Sequence, residues 1–228
     1  MSSSSRLLEV MDALASSMDE PSSLADTRRR IVDTAVDAVP GVDFASITVL
    51  HTDTGQVETT AETETFAHEL DNMQYELQEG PCFDGVTEEE LVVATDLAAD
   101  PRWPQYAGKA AAAGVRSQIA IRLRNGRQVS GLNLYSRRVG GFEEPLHEAR
   151  LVARHARVVL GYARQLESLN EALESRTEIG RAIGIVMERY TLDSDRAFQF
   201  LVRVSKDSNT KIRDLASQIV AGESPGPD

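Results

Sequence analysis

The sequence predicts an α+β protein: an antiparallel sheet covered by helices, followed by a long helix and a helical C-terminal unit. Three observations carry this. Turn signals at Thr52-Asp53-Thr54-Gly55 and Asn125-Gly126 separate short β-branched runs, as in hairpins. Apolar residues at helical spacing bracket and interrupt those runs. From Glu143 to Ser175 the pattern is helical throughout.

Taken in order, Leu7, Val10, Met11 and Leu14 predict an N-terminal helix within residues 1–23. Pro21-Ser22-Ser23 separates it from a second helix carrying Leu24, Ile31, Val32, Ala35 and Val39, which Pro40-Gly41 ends. Phe44 to Leu50 is a strand with partial alternation, and its hairpin partner is Gln56 to Thr60. Phe66 to Leu77 is helical, Glu79-Gly80-Pro81 breaks it, and Leu91 to Ala94 has room only for a short strand. After the Asp100–Pro104 loop, an alanine-rich helix over Gln105–Ala113 stops at Gly114. The second hairpin pairs Val115–Arg124, with Ile119, Ile121 and Leu123, against Gln128–Tyr135, with Val129, Leu132 and Leu134. Gly131 inside that strand marks a bulge or a close approach.

In the long helix Val152, Val159, Leu166 and Leu173 recur every seven residues, with Leu169 at a second seam position. The first half packs on its own sheet; beyond Tyr162 the polar content rises and the seam predicts a coiled coil between two chains, a homodimer. Three helices complete the chain. Thr177–Tyr190 carries Ile179, Ile183, Val186, Met187 and Tyr190. The next is capped by Asp193 or Ser194 and carries Ala197, Phe198, Leu201 and Val204; the last is capped by Ser208 or Asn209 and carries Ile212, Leu215, Ala216 and Ile219. The expected organisation is an N-terminal helix (1–23), a sensor-sized domain (24–160), a coiled-coil linker (161–175), a small helical domain (176–222) and a disordered tail (223–228).

With one cysteine, Cys82, the chain can form no internal disulfide and no Cys-rich zinc site. No stretch approaches the roughly 20 apolar residues of a membrane span. Met1–Ser5 is polar and no long apolar run follows, so a cytoplasmic location is expected. The net charge of −12 argues against wholesale coating of nucleic acid. Its distribution is uneven, because Ser175–Gly222 holds eight cations and six carboxylates. A weakly basic tip on an acidic body suits binding at one surface, or a solvated helical face.

Catalytic constellations are missing from the pattern. His51, His68, His147 and His155 lack ligand spacing, Glu88-Glu89-Glu90 is a solvated run, and no phosphate-cradling glycine loop occurs. Neither a metal nor a cofactor is called for. Cys82 opens a helix, whose N-terminus would lower a thiol pKa, but buried, inert packing is the expected reading, since free cysteine is among the most buried residue types. Trp103 either covers a ligand or pins its loop on the sheet. Near the C-terminus, Arg181, Lys206, Lys211 and Arg213 are cations of the kind that hold phosphate, and Ser205, Asn209 and Thr210 are short hydrogen-bonding residues. Ala182 and Gly184 leave room for an RNA or for a neighbouring helix.

The run Ala182-x-Gly184-x-x-Met187, then Ala197, Leu201, Ser205, Asn209, Lys211 and Ala216, resembles the ANTAR domain, an RNA-binding module of bacterial transcription antiterminators. The resemblance implies an RNA contact set of Arg181, Ala182, Gly184, Ser205, Lys206, Asn209, Thr210, Lys211 and Arg213. Gly80-Pro81-Cys82, Asp96–Pro104, Gly114–Ser117 and Gly131–Ser136 resemble a GAF domain over about Leu24–Leu160, of the kind that precedes ANTAR in actinobacterial regulators. That implies a ligand pocket between the sheet and its flanking loops, with Cys82, Trp103 and Asn133 as candidate contacts. Cyclic-nucleotide-binding relatives carry Asn-Lys, then Phe-x-x-x-Asp-Glu. Here Leu134 follows Asn133, and Phe142 leads to Leu146-His147, which argues against that ligand. The expected function is a non-enzymatic antitermination regulator that binds RNA hairpins in nascent transcripts and is tuned by an unidentified small molecule. A DNA-binding helix-turn-helix regulator and a protein-binding scaffold are the alternatives.

Overall fold

The computed structural model describes residues 23–125, 128–142 and 146–222. The chain falls into two compact units that divide between Arg164 and Gln165. The helix expected before Ser23, the tail expected from Glu223 and the Gly126 turn lie outside the described residues.

The first unit opens with α1 (Leu24–Ala38). The Ser23 hydroxyl accepts from the Asp26 amide at 3.0 Å and the Ser23 amide donates back to the Asp26 carboxylate, a capping box that satisfies two otherwise orphaned donors. Then come β1 (Phe44–His51), β2 (Gln56–Glu62), α2 (Thr65–Leu77), α3 (Pro81–Thr87) and β3 (Leu91–Ala94). A 3-10 turn (Leu97–Ala99), α4 (Pro104–Ala112), β4 (Ser117–Asn125) and β5 (Gln128–Ser136) follow. The strands form one five-stranded sheet in the order β2-β1-β5-β4-β3, with antiparallel neighbours throughout.

Strand alternation gives the sheet two faces, and both are covered. Ala45, Ile47, Ile119, Ile121, Leu132 and Leu134 pack against α1 and the first part of a long helix, α5 (Leu146–Tyr190), through Ala149, Val152, Ala156 and Leu160. On the other face Phe44, Val92, Ala94, Ala120 and Tyr135 meet residues of α2 and α4, with Leu97 and Trp103 between. Tyr135 stacks on Phe44 at a centroid distance of 5.0 Å. Between these apolar ends, this second face is polar.

The second unit is built from the last part of α5, α6 (Ser194–Asp207) and α7 (Ile212–Val220). Ala182, Val186, Ala197, Leu201, Leu215, Ala216 and Ile219 form its core. The break expected between Ser175 and Thr177 is absent, since α5 runs unbroken for 45 residues. No glycine or proline interrupts it there, and the Thr177 hydroxyl bonds the Leu173 carbonyl one turn back at 2.9 Å instead of capping a new helix. Asp193 does cap α6, accepting from the Arg196 amide at 2.8 Å. Neither Ser208 nor Asn209 caps α7. The N-cap position of that helix is Lys211, whose side chain makes no cap bond, and Asn209 takes φ +50°.

The α5 heptads divide as the pattern suggests. Val152 and Val159 are buried, whereas Leu169 and Leu173 are 57% and 53% exposed, and their spacing fits a coiled coil.

Gly131 marks a close approach. A Cβ there would sit 2.9 Å from Thr48 Oγ1 on β1 and 3.0 Å from Val86 on α3. Gly131→Ala should therefore lower stability by about 1–3 kcal/mol, the usual cost of overpacking a filled site. Urea denaturation of both proteins checks this; an unchanged midpoint would show that the site yields freely.

Candidate functional site

In the C-terminal unit α6 ends in a turn with a specific architecture. The Thr210 amide donates to the Ser205 carbonyl at 3.1 Å, and the Asn209 amide to the Lys206 carbonyl at 3.3 Å. This is a Schellman closure, with Asn209 in the left-handed position that glycine or asparagine usually fills. The Ser205 hydroxyl donates to the Thr210 carbonyl at 2.6 Å, so its proton holds the turn. The side chains of Lys206, Asn209 and Lys211 are exposed. Among the described residues neither lysine has a carboxylate partner.

Other candidates are placed differently. Ala182 is fully buried in the three-helix core and offers no surface to RNA; its smallness serves packing. Gly184 is exposed, and a Cβ there would meet nothing within 4 Å, so no neighbour within the chain requires it. Arg181 pairs with Glu178 at 3.1 Å. Arg213 pairs with Asp214 at 3.1 Å and lines a cleft of about 280 Å³ with Glu171, Glu174 and Glu178, where a phosphate would face carboxylates. Phe198, assigned by its spacing to the apolar face of α6, is 44% exposed.

In the first unit the polar part of the sheet face centres on Asp71 of α2, which has no solvent access. Its carboxyl accepts from Thr59 Oγ1 at 2.9 Å, from Asn133 Nδ2 at 3.3 Å and from the Tyr135 hydroxyl. Gln74, one turn on, donates to the Tyr135 oxygen at 3.3 Å. It accepts from the Cys82 amide at 2.8 Å and from Gln118 at 3.2 Å. Gly80 makes this reach possible: it sits at φ +123°, and a Cβ would lie 2.4 Å from Gln74 Oε1. Tyr106 donates to Gln118 at 2.7 Å and completes the chain of bonds. Asn133 Nδ2 also donates to Ser46 Oγ at 3.1 Å, while Asn133 Oδ1 is buried with no partner.

Burial pushes the Asp71 carboxyl up to about 6, against the opposing hydrogen bonds from Tyr135, Ser46 and Thr59. Burial, then the neighbouring Asp71 charge, pushes the Cys82 thiol up as well. Desolvation thus outweighs any lowering by the terminus of a seven-residue helix, and the thiol is buried. Cys82 Sγ lies 3.2 Å from the Tyr75 hydroxyl and 3.6 Å from Thr48 Oγ1.

An open cavity of about 640 Å³ lies between the β1–β2 hairpin and α2. Thr59 and Tyr75 belong both to its lining and to the buried network, so they link cavity and carboxyl; His68, Asn72 and Phe83 are among the other residues of the wall. None of the expected contacts Cys82, Trp103 and Asn133 lines it. Trp103 pins its loop: its indole donates to Asp84 at 2.8 Å and Arg102 lies over its ring at 4.1 Å. Thr59, Tyr75 and Asp71 escaped sequence reasoning because nothing in their local pattern separates them from solvated residues. Among the described residues no group of three or more His, Cys, Asp or Glu is placed to hold a metal.

The raised Asp71 pKa sets a pH dependence. Below about 3.8 both the folded and unfolded carboxyls are protonated and the stabilisation is complete. Between there and about 6 the native state holds a proton that the unfolded chain has lost, so stability falls as pH rises. Asp71→Asn should flatten this decline, by at most about 3 kcal/mol. Urea titrations from pH 4 to 7 measure it, and parallel curves for parent and variant would remove Asp71 as the cause.

Comparison with known proteins agrees with this architecture. The GAF domain family matches residues 21–160, more than half of the chain, and the ANTAR domain family matches residues 167–220. No curated protein matches. Among solved structures, the chain is similar to the GAF domain of a phosphoenolpyruvate-protein phosphotransferase from Coxiella burnetii. That match has 16% identity and a TM-score of 0.53 over 73% of this chain and 99% of that one. It is also similar to a free methionine-R-sulfoxide reductase from Neisseria meningitidis, with 16% identity and a TM-score of 0.52 over 71% and 89%. At these identities the likeness shows the fold alone. The five-stranded sheet with its polar face and the helical C-terminal unit are thus both accounted for, and the chain belongs to the GAF family, built on the GAF–ANTAR regulator architecture.

Proposed function

We propose that this protein is a non-catalytic, cytoplasmic regulator of transcription antitermination that binds hairpins in nascent RNA through its ANTAR domain. The observation that carries this reading is the surface at the end of α6, where Lys206, Asn209 and Lys211 are exposed around a closed turn inside the ANTAR match. Cations without carboxylate partners suit phosphate, and an amide on a rigid turn suits a base edge in an RNA loop. Arg213, in its acidic cleft, is left out of the phosphate set, and Ser205 acts by holding the turn. The GAF domain tunes this activity by binding a small molecule in the cavity beside Thr59 and Tyr75. Among the described residues no helix is long and apolar enough to cross a membrane, in keeping with a cytoplasmic site.

RNA hairpins with randomised loops, competed against duplex DNA and unstructured RNA at one salt concentration, test the reading. Hairpin RNA should win. Preference for duplex DNA would make this a DNA-binding regulator, and no binding to either would leave a protein-binding scaffold. Lys211→Ala should weaken all selected hairpins alike and lower the salt slope by roughly one unit. Asn209→Gly keeps the left-handed turn but removes the amide, so it should cost about 1–3 kcal/mol on the preferred loop only. Unaltered loop preference would leave Asn209 as a turn residue alone.

The exposed Leu169 and Leu173 pair with a second copy in this reading, making a homodimeric coiled coil along α5. Because neither side chain is buried within the chain, Leu169→Glu with Leu173→Glu should give a folded monomer by sedimentation, with weaker hairpin binding. A dimer that survives both changes places the interface elsewhere.

A further inference from the structure

Phe198 stands out in the C-terminal unit because its helix buries other residues. Ala197 and Leu201 enter the core, and Phe198, on the shoulder of α6, stays 44% exposed. Steps of four along α6 connect Phe198 to Val202 and Lys206, which lie in one stripe. At 1.5 Å per residue, Phe198 and Lys206 are separated by about 12 Å along the axis. The stripe leads into the Schellman turn that presents Asn209.

A second exposed aromatic, Tyr190, supplies the contrast. Its ring lies 5.2 Å from that of Phe200, so it has a partner within the fold. Phe198 has no aromatic or cationic ring partner among the described residues. A second copy of the chain is a poor occupant, because one ring and a half-buried valine fall far short of the roughly 800 Å² per partner in a stable interface. Lys206 in the same stripe and Lys211 beyond the turn, both exposed, favour an anionic polymer. An apolar ring with a cation about two turns along its own stripe suits a nucleobase, whose face is apolar and whose backbone is charged.

We propose that Phe198 is the stacking platform for an unpaired base in the loop of the bound RNA, an assignment that rests on the RNA-hairpin reading above. Lys206 holds the neighbouring phosphate and Asn209 reads a base edge further along. The ring contributes affinity with little sequence preference, since every base has a π-face.

The test uses the full chain and hairpins selected on it from a library with randomised loops. Phe198→Ala and Phe198→Leu should both weaken binding by about tenfold or more, leucine failing because it restores apolar area without a ring. The unfolding midpoint should barely move. Phe198→Trp should keep binding and lose emission when hairpin is added, above the constant signal of the buried Trp103. Single abasic substitutions should reveal one loop position whose loss costs the parent as much as Phe198→Ala does, and costs that variant nothing more. Parent-like binding by Phe198→Ala overturns this assignment alone, as does a change in its sedimentation, which would place a second copy on the ring. A parent that selects no hairpin overturns the RNA reading and this assignment together.

Discussion

A carboxyl group without access to water sits beneath α2, and much of the sensor domain is arranged around satisfying it. A buried carboxyl without partners costs several kcal/mol, by the general scale of polar desolvation. Asp71 meets that constraint with donors from three elements: Thr59 on β2, and Asn133 and Tyr135 on β5. Those donors fix the register of β5 against β1, where Asn133 stands opposite Ser46 and Gly131 opposite Thr48. Gln74 extends the network to the start of α3, and the left-handed Gly80 clears its path. Within this cluster Asn133 Oδ1 is buried without a partner, while its Nδ2 faces the carboxyl that burial pushes up to about 6. Turning the Asn133 amide would let the carboxyl proton serve that oxygen, which ties the protonation state of the cluster to its internal wiring.

Much of the fold was legible because its periodicities are local. The hairpins, the β3 segment and the helices α1, α2 and α4 follow from apolar spacing and turn residues, with boundaries shifted by a residue or two. The polar face of the sheet was not legible. Ser46, Thr48 and Asn133 alternate with apolar neighbours as they would on a solvated face, and only tertiary packing by α2 and α3 buries them. The same holds for the end of α6. Asparagine before a helix reads as a cap, whereas here it follows a helix and closes it in a left-handed conformation. Phe198 shows the limit from the other side, since α6 turns a residue that fits the apolar spacing outward.

α5 reconciles two environments with one continuous backbone. Its early buried positions are dominated by alanine at 149, 153, 156 and 163, small enough to bring helix and sheet close, with Val152 and Leu160 filling the remaining gaps. Over residues 165–178 it buries no side chain fully, then contributes Ala182 and Val186 to a second core. That second core is small, and helical units of this size depend on few contacts. Its surface is correspondingly spare, and the exposed side chains of Lys206, Asn209 and Lys211 project from a turn fixed by backbone bonds.

The solitary thiol of Cys82 is a built-in clock for the sensor domain. Buried among Tyr75, Thr48 and Asn133 and held protonated by desolvation, it has no pathway to alkylating reagents while the fold is closed. Its labelling then proceeds only through opening events, and its rate measures how often the polar cluster comes apart. A ligand that settled against Thr59 and Tyr75 would slow that clock without touching the sulfur, and its occupancy would then be read through the chemistry of one atom.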